Sequence, residues 1–95
     1  METRYEISLK MKTFKEITEY GCFPIGFDGA FAANLFSLLE GTSEISEGSI
    51  ITMDLLKWED GIPYQMILIY CSYEQLAVNV KLITKELFKY FNLEN

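Results

Sequence analysis

The side chains that carry most protein chemistry are sparse in these 95 residues. There is no histidine, which removes the commonest general base and the commonest metal ligand, and with them histidine-activated serine or cysteine nucleophiles within one chain. The two cysteines, Cys22 and Cys71, are far apart with no CxxC pair, so neither zinc-ligand spacing nor a disulfide framework is indicated. No basic residue adjoins Cys22 in sequence to favour its thiolate, and both thiols are expected to be buried and structural. Gly21, Gly26 and Gly29 fit neither GxGxxG nor GxxxxGK[ST] and are taken as turns and caps. The acid pairs Glu44/Glu47 and Glu59/Asp60 lack the ligand spacing of a calcium loop. Asp54 falls in mid-strand among apolar residues; pairing with Thr52 or a lysine is the simpler expectation beside an acid of raised pKa. Asn34 and Ser37, three apart on a helix, are expected to be hydrogen-bonded locally. No catalytic residue, cofactor or metal follows from this set, and it does not point to an enzyme.

Composition narrows the class further. Lys and Arg number 8 against 14 Asp and Glu, a net charge of −6, with 49% apolar and 15% aromatic residues. That composition folds, and the charge argues against nucleic acid as a partner. The longest apolar run is six residues, 66–71, far below the ~18 of a membrane span. Residues 1–4 lack the basic and apolar regions of a signal peptide. A single domain over 1–95, cytoplasmic and with reduced thiols, is expected.

Periodicity supplies the elements. Tyr5, Ile7, Leu9 and Met11 alternate with Arg4, Glu6, Ser8, Lys10 and Lys12, a strand with one wet face. Thr13 to Glu16 has the form of a capping box, and Phe14, Ile17 and Tyr20 follow at helical spacing, predicting a short helix over 14–20 closed by Gly21. Residues 22–27 are then an apolar connector. Asp28 caps a second helix through Leu39 that is apolar on nearly all sides, and so is expected to be buried on most of them. Residues 40–48 form a polar loop. Residues 49–58 and 62–71 flank Asp60-Gly61, a hairpin signal. Ser72 and Gln75 offer a capping box for a last helix to about Phe91. Its apolar stripe includes Leu76, Val80, Ile83 and Leu87, and its charged stripe is Lys81, Lys85 and Lys89.

The predicted fold class is α+β: a βα(α)ββα two-layer sandwich with a three-stranded antiparallel sheet of order 2-3-1 and helices on one face. That is a ferredoxin-like unit lacking its last strand. With a two-residue turn, paired residues of the hairpin sum to 121. Ile51, Met53 and Leu55 then face Tyr70, Leu68 and Met66 under the helices. Ile50, Thr52, Asp54, Leu56 and Trp58 lie opposite Cys71, Ile69, Ile67, Gln65 and Pro63 on the second face. That second face is also largely apolar and needs a cover.

The primary functional expectation is therefore a non-catalytic protein-interaction or regulatory module, a homodimer or the binder of a protein partner. Its interface is centred on Leu56, Trp58, Ile67 and Ile69, with Ile50 and Tyr64 beside them, and a free edge strand adds backbone pairing. An alternative is an acidic inhibitor or immunity-type protein. Residues 16–80 hold Lys57 against ten acids, 1 − 10 = −9, a charge that would steer a basic partner. Residues 1–15 and 81–95 are net basic and form a basic edge if the first strand and last helix are neighbours. A further alternative is a small-ligand or enzymatic domain with an aromatic pocket at Tyr64, Tyr70 and Phe36. No membrane or metal partner is expected.

Overall fold

The computed structural model describes residues 2–13, 15–45 and 50–91. The elements are β1 (Thr3–Lys12), β2 (Ile17–Gly26), α1 (Gly29–Ser37), β3 (Ile51–Glu59), β4 (Ile62–Cys71) and α2 (Tyr73–Tyr90). The fold is a small α+β unit: a four-stranded antiparallel sheet of order β2-β1-β3-β4 with two helices. The chain thus makes two ββα passes, joined through their first strands.

Two expectations about the sheet are corrected. Residues 17–26 are a strand, not the tail of a helix over 14–20 followed by a connector; Phe14 lies outside the described residues. Ile17, Thr18, Tyr20, Phe23 and Ile25 favour a pleated surface, and Pro24 is tolerated because β2 is an edge. The capping-box signature at Thr13 serves a hairpin turn instead. The Thr13 N–H donates to the Glu16 carbonyl at 2.8 Å, and the Thr13 hydroxyl accepts from the Glu16 N–H at 3.4 Å. Further, β1 pairs with β3 rather than with β4, so the sheet has four strands and is not of order 2-3-1. With β1 and β2 forming a hairpin, no crossover leaves the first strand, and the ferredoxin-like assignment falls.

The β3–β4 hairpin has the two-residue turn that Asp60-Gly61 implies. Glu59 pairs with Ile62, and both turn residues have positive φ, 51° and 82°, as a type I′ turn demands. Pairs sum to 121 as far as Leu56–Gln65, and then a β-bulge inserts one extra residue at Met66. Beyond it every β4 side chain changes face. Cys71, Ile69 and Ile67 therefore oppose Ile51, Met53 and Leu55, correcting the expectation that Ile67 and Ile69 share a face with Leu56 and Trp58.

The core joins both helices to this face. Ile7, Ile25, Ile51, Met53, Leu55 and Cys71 pack with Ala32, Leu35 and Phe36 of α1 and with Ile83 of α2, flanked by Leu76 and Leu87. Asp28 caps α1 by accepting from the Ala30 and Phe31 N–H groups. Gly29 leaves room there for the Tyr5 ring, since a Cβ would sit 2.6 Å from the Tyr5 hydroxyl oxygen and the ring would have to shift. Only Ala32, Leu35 and Phe36 of α1 are buried, so its apolar surround is not matched by burial on most sides. The Ser37 hydroxyl donates to the Asn34 carbonyl at 2.6 Å, a local bond with both residues exposed. Ser72 and Gln75 form the expected capping box of α2. At its other end the Tyr90 hydroxyl donates to Asp28 at 2.7 Å while its ring stacks on Phe31 at 3.8 Å. That hydrogen bond, with the Phe31 and Ala30 N–H groups, holds the Asp28 carboxyl below its usual range.

One buried polar side chain was absent from the sequence reading. Asn79 of α2 is fully buried; its Oδ1 accepts from the Glu40 N–H at 2.7 Å and its Nδ2 donates to the Glu40 carbonyl at 2.8 Å. The grip directs the chain after α1 to the end of β4, where Thr42 and Tyr70 exchange two backbone hydrogen bonds at 3.0 and 2.8 Å. Asn79→Ala strands both Glu40 groups and leaves a void. Urea denaturation should show a loss of about 2–3 kcal/mol, with Asn79→Asp losing at least as much, because a carboxylate oxygen would face the Glu40 carbonyl in a buried site.

Candidate functional site

The face of the sheet away from the helices carries Arg4, Glu6, Ser8 and Lys10 of β1 beside Thr52, Asp54, Leu56 and Trp58 of β3. Because β1 adjoins β3, its polar side chains shield the β3 residues expected to be exposed. The Arg4 guanidinium lies 4.5 Å from the Trp58 ring centroid, a cation–π contact, and pairs with Glu6 at 3.5 Å. Leu56 and Trp58 are each half-buried within the chain. The Trp58 indole N–H is buried with no acceptor among the described residues.

Asp54 is the most enclosed charged group, 1% exposed. Its Oδ2 accepts from Lys10 Nζ at 3.2 Å and Gln65 Nε2 at 2.9 Å, the lysine pairing that its sequence position suggested. Its Oδ1 is buried without a partner among the described residues. The carboxylate lines a cleft of about 320 Å³ with Lys10, Lys12, Thr52, Gln65 and Tyr70, closed by Ile17, Ile45, Ile50 and Leu68. Such a cleft can hold a small group, but its chemistry is that of an ion pair and four apolar walls.

A second polar cluster lies on the β2 side. Ligand atoms of Glu6, Glu19 and Cys22 lie within 4.8 Å of one another. Glu6 is engaged by Arg4, and Glu19 accepts from the Ser8 hydroxyl at 3.0 Å. Cys22 is exposed, which corrects the expectation of burial; Cys71 is buried as expected. The Glu6 carboxylate accepting from the Cys22 thiol, then burial and the negative charge of Glu6 and Glu19, push that thiol's pKa up. Cys22 is thus exposed yet held protonated, the reverse of an activated nucleophile.

The six anticipated interface residues divide between two faces. Leu56, Trp58 and Ile50 lie on the open face, while Tyr64, Ile67 and Ile69 lie on the helix side. Tyr70 is on the open face, Tyr64 near the hairpin tip and Phe36 in the core, so no pocket unites these three aromatics. The cations of β1 and those of α2 occupy opposite sides of the sheet and do not form one basic edge.

What the six residues share is the hairpin, whose outer strand is the least covered part of the sheet. Every residue from 62 to 67 is exposed, including Ile62 at 54%, Tyr64 at 51%, Met66 at 49% and Ile67 at 43%. β4 contains no charged residue, and among the described residues only Thr42 pairs with its outer side, at Tyr70. The opposite edge differs: β2 carries Glu19, Gly21 and Pro24, and two register shifts interrupt its pairing. Charge, proline and bulges are the usual protections of an edge strand. β4 has Pro63 and one bulge, both towards its tip, and no charge.

Comparison with protein-family models, with curated proteins and with solved structures finds no match. No helix among the described residues is long and apolar enough to cross a membrane.

Two outcomes follow from the polar clusters. Cys22 should react with iodoacetamide more slowly at neutral pH than a free thiol, and Glu6→Gln should accelerate it. Lys10→Met should lower stability by about 1–2 kcal/mol in urea titrations, and combination with Asp54→Asn should recover most of that loss.

Proposed function

We propose that the chain is a non-catalytic protein-interaction module that works through the outer edge of its β3–β4 hairpin. The observation that carries this reading is the exposed, uncharged run 62–67 on an edge strand. An unpaired strand offers N–H and C=O groups in a row, and apolar side chains on both of its faces add area as a second strand docks. The reading shifts the contact from a greasy sheet face to a strand edge, because Arg4 and the rest of β1 shield Leu56 and Trp58. Of the six residues first singled out, Tyr64 and Ile67 lie on this strand and are exposed, Ile69 extends it, and Ile50, Leu56 and Trp58 flank it.

The charge distribution sets limits on the alternative of an acidic inhibitor. Two of the ten acids of the middle segment are neutralised locally: Asp54 by Lys10 at 3.2 Å and Glu59 by Lys57 at 2.7 Å. An electrostatic complex would weaken steeply with salt, whereas edge pairing would not.

Met66→Lys tests the module reading. The side chain is half-exposed, so the fold should tolerate it. Tagged wild-type chain should retain a protein that contacts residues 64–69, seen as amide protection there, and the Met66→Lys chain should not retain it. Equal retention by both would overturn the reading.

A further inference from the structure

We infer that the cleft beside Asp54 binds a small organic acid, one with an apolar body and an uncharged hydrogen-bond donor at the end away from its carboxylate. The cleft opens on the sheet face away from the helices, and binding there does not depend on the outer side of β4.

Three strands build the site. Register sets Ser8, Asp54 and Leu68 in one row and Lys10, Thr52 and Tyr70 in the next. Lys12 lies one row further, where its backbone N–H donates to the Ile50 carbonyl at 2.8 Å. Side chains rooted on paired strands are placed more sharply than side chains on loops. The space they enclose is about 320 Å³, inside the ~300–1,000 Å³ range of small-molecule sites. Ile17, Ile45, Ile50 and Leu68 make its walls apolar.

Asp54 sets the chemistry at the inner end. It is 1% exposed, so its charge is held away from bulk water. Lys10 and Gln65 both donate to Oδ2, and Oδ1 has no partner among the described residues. A buried carboxylate oxygen without a donor is costly, and a ligand O–H or N–H given to this carboxylate would lower that cost. A cationic donor does not suit the place. Lys10 already balances the Asp54 charge at 3.2 Å, and two lysines in the lining would repel a further cation. A neutral donor meets neither objection.

Lys12 sets the chemistry at the outer end. It is exposed and forms no ion pair among the described residues. The lining holds two ammonium groups against one carboxylate, one positive charge in excess within a chain of net charge −6. A concave site with surplus positive charge draws anions, and an ammonium–carboxylate hydrogen bond is among the stronger polar contacts. Ser8, which pairs with Asp54, and Lys12 are about 14 Å apart along β1 at ~3.4 Å per residue. The Lys12 side chain shortens that gap to the length of a ring with a short acid arm.

Nuclear magnetic resonance titration of the labelled chain with 4-hydroxyphenylpropanoate, read at the Thr52, Leu68 and Tyr70 amides, tests the site. A Kd of about 1 mM or tighter is expected for a ligand of this size. 4-Methoxyphenylpropanoate lacks the donor and 4-ethylphenol lacks the acid, and each should bind about 10-fold more weakly. Tyramine, with an ammonium in place of the carboxylate, should not bind. Lys12→Met should weaken the acid about 10-fold while leaving 4-ethylphenol and the circular dichroism unchanged. Ile50→Trp, which fills the cleft from an exposed position, should abolish binding of the acid. Absence of shifts at those amides up to about 10 mM acid, ten times that constant, would overturn the assignment. So would equal binding of all four compounds, or an affinity for the acid that both variants leave unchanged. None of these results bears on the β4 edge, which Met66→Lys tests separately.

Discussion

The Asn79 amide, buried under α2, takes the Glu40 N–H and gives to the Glu40 carbonyl, and this two-point grip decides where the chain runs after α1. A buried amide with one donor and its acceptor satisfied fixes a backbone position far more sharply than apolar packing does. From Glu40 the chain passes to Thr42, which closes the Tyr70 end of β4; among the described residues nothing else pairs with that edge. The helices, the capped corner and the free edge are therefore linked.

The two sheet edges show how position in the fold alters the meaning of a strand. β2 and β4 occupy equivalent places in their ββα passes, and both end at a helix cap, Asp28 for one and Ser72 for the other. β2 is interrupted twice and holds a charge, a glycine and a proline. β4 holds ten uncharged residues with one bulge. On the open face between them a belt of Arg4, Glu6, Ser8, Lys10 and Asp54 keeps water-seeking groups over the sheet. That face needs no further cover, and β4 carries four exposed large apolar side chains in its first six residues, Ile62, Tyr64, Met66 and Ile67.

The local elements were legible in the sequence wherever one short-range signal acted alone. The Asp60-Gly61 turn, the Asp28 cap and the Ser72–Gln75 box each correspond to the structure, and the alternation at residues 4–12 is a strand, though Glu6 and Ser8 of its expected wet face are buried. Residues 14–20 were misread because Phe14, Ile17 and Tyr20 satisfy helical spacing, while β-branched and aromatic residues with an edge partner satisfied a strand better. That error removed one strand and misplaced β1 next to β4. Arg4 was then absent from over Trp58, and Lys10 from beside Asp54. The bulge at Met66 had no signal in residue type, and it moved Ile67 and Ile69 to the helix face. Asn79 interrupted the apolar stripe of α2 without drawing attention, because its partner is backbone.

Amide hydrogen exchange at Gln65 and Leu68, measured on the isolated chain and again on the chain with its captured protein bound, tests the β4 edge most directly. The account predicts that these two amides exchange freely in the isolated chain and become protected in the complex, with the β2 amides unchanged. Exchange at Gln65 and Leu68 that binding leaves unchanged, or protection that appears on β2 instead, would contradict it.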